Sequence, residues 1–265
     1  MKDILSEIAA NKRRELSAVY RDSSRRDSLY RLVEQETRTP RSMKKAIMER
    51  NVFDKPGIIA EFKRRSPSKG EICGNADVAS VERIYQEGGA AASSVLTDTR
   101  YFGGALTDLS VARDTVELPL LRKDFIIDEI QIAEAYVAGA DAILLIATLL
   151  GSKEIKDFTA KAHALGMEIL FEVHGQDEIK KVPEDADLIG VNNRALSSFA
   201  TDVNHSAKMI DFLSKDKVLV AESGIKTEED VRRLMDCGYN AFLIGETFMK
   251  ATDPLATLRR FAYVD

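Results

Sequence analysis

Eight short β-rich runs alternating with amphipathic stretches predict an α/β fold, a (β/α)8 TIM barrel with extra N-terminal helices. Two further observations support it. Several amphipathic stretches end in Gly just before the next run, at Gly88-Gly89, Gly139, Gly166 and Gly238, as a left-handed helix cap requires. The eight units also fit within residues 56–265, close to the roughly 250 residues that such a barrel uses as one domain. An open doubly wound sheet would place a Gly-rich dinucleotide turn after its first strand, where this chain has Lys63, Arg64, Arg65, Ser66 and Pro67.

Residues 1–50 form a helical extension, with Ile4, Leu5, Ile8 and Ala9 at helical spacing and Leu29, Leu32 and Val33 continuing a second apolar stripe. Pro40 breaks the pattern, and a fresh helix begins near Ser42. This preface is expected to carry no chemistry of its own. From residue 56 the period changes. Strands are expected at 58–62, 93–97, 119–122, 142–146, 168–173, 188–191, 218–221 and 241–244, with helices between them such as 128–138, 152–165 and 227–237. No internal linker divides the 265 residues, so a single domain is expected, with 56–265 as the barrel.

Composition narrows the class. Hydrophobic residues make up 45% and charged residues 31%, enough apolar mass for a core and against disorder. The net charge is −5, and residues 1–50 hold 13 Lys and Arg against 8 Asp and Glu. Such mixed charge marks solvated helix faces, so no nucleic acid is expected. Two cysteines, Cys73 and Cys237, exclude a disulfide framework or a Cys-rich zinc site. His163, His174 and His205 lack metal-ligand spacing, and no phosphate-loop or dinucleotide motif occurs, so neither metal nor cofactor is expected. The longest apolar run, 142–150, is interrupted by Thr148 and is about half the roughly 20 residues of a membrane helix. With no secretory signal, a cytoplasmic protein without membrane association is expected.

In such barrels the working residues stand at the C-terminal strand ends. Those positions hold Glu61 and Lys63 (strand 1), Lys123 (strand 3), Glu172 (strand 5), Asn192 (strand 6) and Glu222 (strand 7). Glu61 and Lys63 are two apart and share a face. Solvation explains any one of these charges, but six on one barrel mouth point to general acid–base work. After strands 7 and 8, Ser223-Gly224 and Gly245-Glu246 put Gly between a strand and a helical pattern, where backbone amides cradle an anion. The loop 64–76 after strand 1 is long and could cover the site, with Ser66 reaching a phosphate.

Residues 58–70 (IIAEFKRRSPSKG), 94–97 (SVLT), 121–126 (LRKDFI), 170–173 (LFEV), 190–194 (GVNNR), 221–225 (AESGI) and 242–246 (FLIGE) resemble indole-3-glycerol-phosphate synthases, in order and over almost the whole chain. The resemblance implies a decarboxylating lyase of tryptophan biosynthesis. Its substrate would be 1-(2-carboxyphenylamino)-1-deoxyribulose 5-phosphate, closed to indole-3-glycerol phosphate with loss of carbon dioxide and water, without a cofactor. It implies Lys123 as the general acid of closure, Lys63 in dehydration, Glu61 or Glu172 as the base, and Asn192 and Glu222 as orienting groups. Phosphate would meet Ser66, Arg194, Ser223, Gly224, Gly245 and Glu246. Pro67, Phe102, Phe125 and Leu144 would form an aromatic slot, although each could equally be core. Two positions depart from many relatives. Glu246 stands where some carry Ser, so its carboxylate must point away from a phosphate, and Ala195 follows Arg194 where an acid or amide is common.

Phosphoribosylanthranilate isomerase, another phosphate-binding barrel, would want a Cys at the end of strand 1, where Lys63 stands. A catalytically silent phosphosugar-binding barrel would need fewer opposed charges. The expected partner is a small phosphorylated substrate, and the expected state a monomer or weak homo-oligomer.

Overall fold

The computed structural model describes residues 4–195 and 200–264; residues 1–3, 196–199 and 265 of the predicted span lie outside the described residues. All eight expected runs are strands, with ends shifted by no more than one residue: β1 Gly57–Phe62, β2 Ala92–Leu96, β3 Leu120–Lys123, β4 Ala142–Ile146, β5 Glu168–Val173, β6 Leu188–Asn192, β7 Val218–Glu222 and β8 Ala241–Ile244. Each pairs in parallel with its sequence neighbours, and β1 closes on β8 through Gly57↔Ala241 to Ala60↔Ile244. The result is a closed eight-stranded barrel.

Alternation divides the strand residues into two apolar sets. Outward residues such as Ile58, Ala60, Leu120 and Ile143 pack under the surrounding helices, while inward residues such as Ile59, Leu121, Leu170 and Val220 fill the barrel. Three of the predicted helices occupy nearly their expected ranges, at Glu129–Val137, Ser152–Ala164 and Glu228–Cys237. Of the glycines expected to cap helices, Gly89, Gly139, Gly166 and Gly238 have positive φ, whereas Gly88 is right-handed at φ −74° and leaves the turn to Gly89.

The N-terminal helices are α1 Ile4–Arg21, α2 Ser23–Gln35 and α3 Met43–Asn51. They work at both ends of the barrel. Ser42, the predicted helix start, caps α3 by accepting from the Lys45 amide at 2.9 Å and donating to Glu168 Oε1 at 2.5 Å. Met43 and Ile47 of α3 then join the inward core and seal the bottom. A Cβ at Gly57 would stand 2.7 Å from Ile47 Cγ2, so that seal needs glycine. Helix α1 lies at the opposite end. Its Lys12 is buried against Asp98 and Asp124, each at 3.0 Å, just beyond β2 and β3. Burial alone would depress the Lys12 ammonium, but Asp124 and Asp98 outweigh it and hold its pKa above the ordinary lysine value.

The apolar stripe on α2 lies at the margin of the core: no residue of α2 is fully buried and Leu32 is 49% exposed, but Val33 packs partly buried against it. The stretch after β1 is not a plain loop: Arg65–Ser66 and Gly70–Glu71 pair antiparallel as a small hairpin. Arg64 anchors its base by a two-pronged contact with Asp108.

Candidate active site

Four alternate strands supply one inward layer at the barrel mouth: Glu61 from β1, Lys123 from β3, Glu172 from β5 and Glu222 from β7. Alternate-strand layering is how an eight-stranded barrel fills its interior, and below this layer the same strands carry Ile59, Leu121, Leu170 and Val220. The change from aliphatic to charged within one step of two residues marks where packing ends and chemistry begins. The three carboxylates are 5% exposed or less. Burial of that kind is costly unless a cation compensates.

Lys123 is that cation. Its Nζ lies 3.3 Å from Glu172 Oε2 and is hydrogen-bonded to Glu222 Oε2. Burial would lower its pKa, but Glu222, Glu172 and Glu61 together hold it above the usual lysine value. Burial pushes Glu222 up, and repulsion from Glu172 adds to that, while Lys123 opposes both. Glu172 goes the other way: burial would raise it, yet Lys123 and His174 keep it below the ordinary carboxylate value. Lys63 forms a separate pair, with Nζ 2.5 Å from Glu61 Oε1.

A cavity of about 660 Å³ opens above this layer. All sixteen predicted site residues line it: the six at the strand ends, the six assigned to phosphate and the four assigned to the aromatic slot. Asn192 faces the cavity, whereas its neighbour Asn193 is buried and structural, accepting from the Ser206 amide at 2.9 Å. Phe102 and Phe125 have ring centroids 5.9 Å apart on one wall. Leu144 is both wall and core, being 2% exposed.

On the β7–β8 side, Ser223 and Gly224 are consecutive residues with φ of 67° and 78°. A left-handed serine is uncommon and worth a functional explanation. The expected helix start directly after Gly224 is not there. Helix Glu228–Cys237 begins four residues later, capped by Thr227, so any anion at Gly224 meets a turn and not a helix end. After Gly245 a four-residue helical turn, Glu246–Met249, does follow. The Glu246 carboxylate bonds Lys250 Nζ at 2.8 Å, which engages the charge that the sequence required to be turned aside. Arg194 Nη1 donates to Ser68 Oγ at 2.9 Å and ties the hairpin to the segment just after β6.

Several cavity residues were not anticipated. Ile4, Leu5 and Ile8 of α1 form part of its wall, so the helical preface, expected to carry no chemistry of its own, supplies apolar surface to the site. Their helical spacing was visible, but not the surface they cover. Leu96 and Ile146 were read only as strand, and His174 only as a poor metal ligand; its place two residues after Glu172 is the signal that could have found it. Among the described residues, no cluster of three or more His, Cys, Asp or Glu is arranged to hold a metal ion. Likewise, no helix of the described residues is long and apolar enough to cross a membrane.

Comparison with known proteins is consistent across nearly the whole chain. The family model described as indole-3-glycerol phosphate synthase matches residues 5–261. A protein of that name from Bacteroides thetaiotaomicron is 46% identical over 263 residues, covering 98% of each chain. Another from Koribacter versatilis is 44% identical over 264 residues, again covering 98% of each. Among solved structures, 3-hexulose-6-phosphate synthase from Salmonella typhimurium aligns with a TM-score of 0.62 at 12% identity, covering 78% of this chain and 96% of its own. N-acetylmannosamine-6-phosphate 2-epimerase from Clostridium perfringens aligns at 0.59 and 15% identity, covering 85% and 97%. These two likenesses speak to the barrel fold alone.

Proposed function

The chain belongs to the indole-3-glycerol phosphate synthase family, and from that premise we propose how its barrel mouth divides the work. The enzyme is a carbon–carbon lyase of tryptophan biosynthesis. It converts 1-(2-carboxyphenylamino)-1-deoxy-D-ribulose 5-phosphate to indole-3-glycerol phosphate, carbon dioxide and water.

Ring closure joins the ring carbon bearing the carboxylate to the ribulose carbonyl carbon, with the aniline nitrogen supplying electrons. The carbonyl oxygen takes up a proton as this bond forms. Lys123, held charged by Glu222 and Glu172, is the group that donates it. The bond to the carboxylate then breaks, and its electron pair returns to the ring and nitrogen as carbon dioxide leaves.

Dehydration needs a proton placed on the new hydroxyl and another removed from the adjacent methylene carbon. Lys63 and Glu61, an ammonium and a carboxylate 2.5 Å apart, offer both functions at neighbouring positions. This favours Glu61 as the base of the second stage, with Glu172 serving as a fixed anion beside Lys123. Asn192 and Glu222 orient the substrate hydroxyls. Phosphate is held by Ser66, Arg194, Ser223, Gly224, Gly245 and the Glu246 amide. The aromatic ring lies against Pro67, Phe102, Phe125 and Leu144.

The observation that carries this reading is the inward layer of Glu61, Lys123, Glu172 and Glu222, since a barrel that only bound a phosphosugar would gain nothing from burying three acids around one lysine. The test is to incubate the protein with the substrate and follow indole absorbance together with carbon dioxide release. Absence of both from folded protein overturns it. We place the enzyme in the cytoplasm, where its two free cysteines stay reduced.

A further inference from the structure

His174 takes no part in the scheme above, yet it lies between two carboxylates at the edge of the cavity. It follows Glu172 by two residues, just past the end of β5, and both side chains line the cavity. Its Nε2 is 3.3 Å from Glu172 Oε1, while Lys123 Nζ is 3.3 Å from Oε2 of the same carboxylate. The two nitrogens therefore meet different oxygens of Glu172. On the far side, Nδ1 of His174 is 3.7 Å from Glu178 Oε2. That oxygen accepts the His174 backbone N–H at 2.6 Å, and the other oxygen of Glu178 accepts from Thr148 Oγ1 at 2.5 Å. His205 Nε2 meets the His174 carbonyl at 3.0 Å, so the backbone is held as well.

We infer that His174 is a positioning residue for Glu172: braced from behind by Glu178, its ring holds the Glu172 carboxylate aimed at Lys123 and charged. This rests on the proposed role of Glu172 beside the closure acid. The charges that act on the imidazole are Glu178 on the short helix Gln176–Ile179, Glu172 on β5 and Glu222 on β7, while Lys123 on β3 meets the other oxygen of Glu172 and His205 on the helix Asn204–Met209 meets the His174 carbonyl. Burial opposes a charge on His174, but Glu178, Glu172 and Glu222 outweigh it and raise its pKa above the ordinary value. Glu178 is correspondingly drawn down to about 2.

The experiment compares pH profiles of kcat for the wild type, His174→Gln, Glu178→Gln and Glu172→Gln. Removing a cation beside Glu172 raises its pKa, so activity is lost at higher pH on the acid side. The expected displacement of the acid limb in His174→Gln is about one pH unit upward, with KM little changed. Glu178→Gln, which removes the brace and is not itself a cavity residue, should shift the limb in the same direction by less. A limb that stays in place in both variants overturns the inference, even where kcat falls, because packing alone lowers rate without moving a titration. If His174→Gln does not fold, an unshifted limb in Glu178→Gln is sufficient to overturn it. Wild-type turnover in Glu172→Gln would instead remove the premise, which separates failure of the mechanism from failure of this inference.

Discussion

Gly190 on β6 stands so close to Glu222 on β7 that a methyl group on its Cα would overlap Oε1 of the carboxylate. Among the described residues that oxygen has no hydrogen-bond partner, whereas Oε2 holds Lys123. The glycine is required for space and not for an unusual φ, since Gly190 is not among the described glycines with positive φ.

Gly190→Ala should therefore turn Glu222 away from Lys123. A displacement of about 1 Å at a positioned group costs on the order of 10² in rate, so kcat should drop by about that factor. Circular dichroism should show the barrel folded. Wild-type kcat in this variant would mean that Glu222 relaxes without consequence.

Lys123→Met should abolish ring closure, with loss of a general acid costing on the order of 10²–10⁴ in rate while KM changes little. The same change leaves Glu172 and Glu222 buried without their cation, and removal of one partner of a buried pair costs about 3–5 kcal/mol. Thermal melts should accordingly show a lower Tm. Near-normal turnover would take Lys123 out of the mechanism.

Lys63→Met should let closure and decarboxylation proceed but stall dehydration, because Lys63 is paired with Glu61 and sits apart from the Lys123 cluster. In a single turnover, carbon dioxide should appear before indole. Parallel loss of both products would place Lys63 in binding or in the first step.

A structure with bound product should place the phosphate between Ser223-Gly224 and Gly245-Glu246, with Arg194 and Ser66 closing over it. A phosphate seated against Phe102 and Phe125 would reverse the assignment of the two ends of the cavity.

Glu82 offers a prediction independent of catalysis. It is fully buried on the helix Val78–Glu87, accepts from Ser93 Oγ at 2.8 Å, and has a second oxygen without a partner among the described residues. Burial pushes its pKa from 4.5 to about 8. The folded state thus binds a proton that the unfolded state has released between those values, so stability falls as pH rises from 4.5 to 8. Glu82→Gln should abolish that slope and gain on the order of a few kcal/mol over the wild type at pH 8, but little at pH 4. Tm measured at both values decides it; an equal difference at the two would show that Glu82 does not titrate in this range.

Much of this was legible before folding. The eight strands follow from short apolar, β-rich runs between amphipathic stretches, and alternation puts Glu61 and Lys63 on one face because side chains two apart on a strand share a side. Their position at C-terminal strand ends put Glu61, Lys63, Lys123, Glu172, Asn192 and Glu222 on the barrel mouth, and all six line the cavity. The start of α3 was readable too, since Ser42 is a local capping signal.

What the chain could not reveal locally is who faces whom. Lys123 meets Glu172 and Glu222 across sequence separations of 49 and 99 residues. The use of Gly190, the bracing of His174 and the folding of Ile4, Leu5 and Ile8 over the mouth are of the same kind. Strand periodicity selects a side of the sheet, and it does so from neighbours in the chain. Closing eight strands into a barrel then sets their relative height, and only that closure decides which buried charge receives which counter-charge.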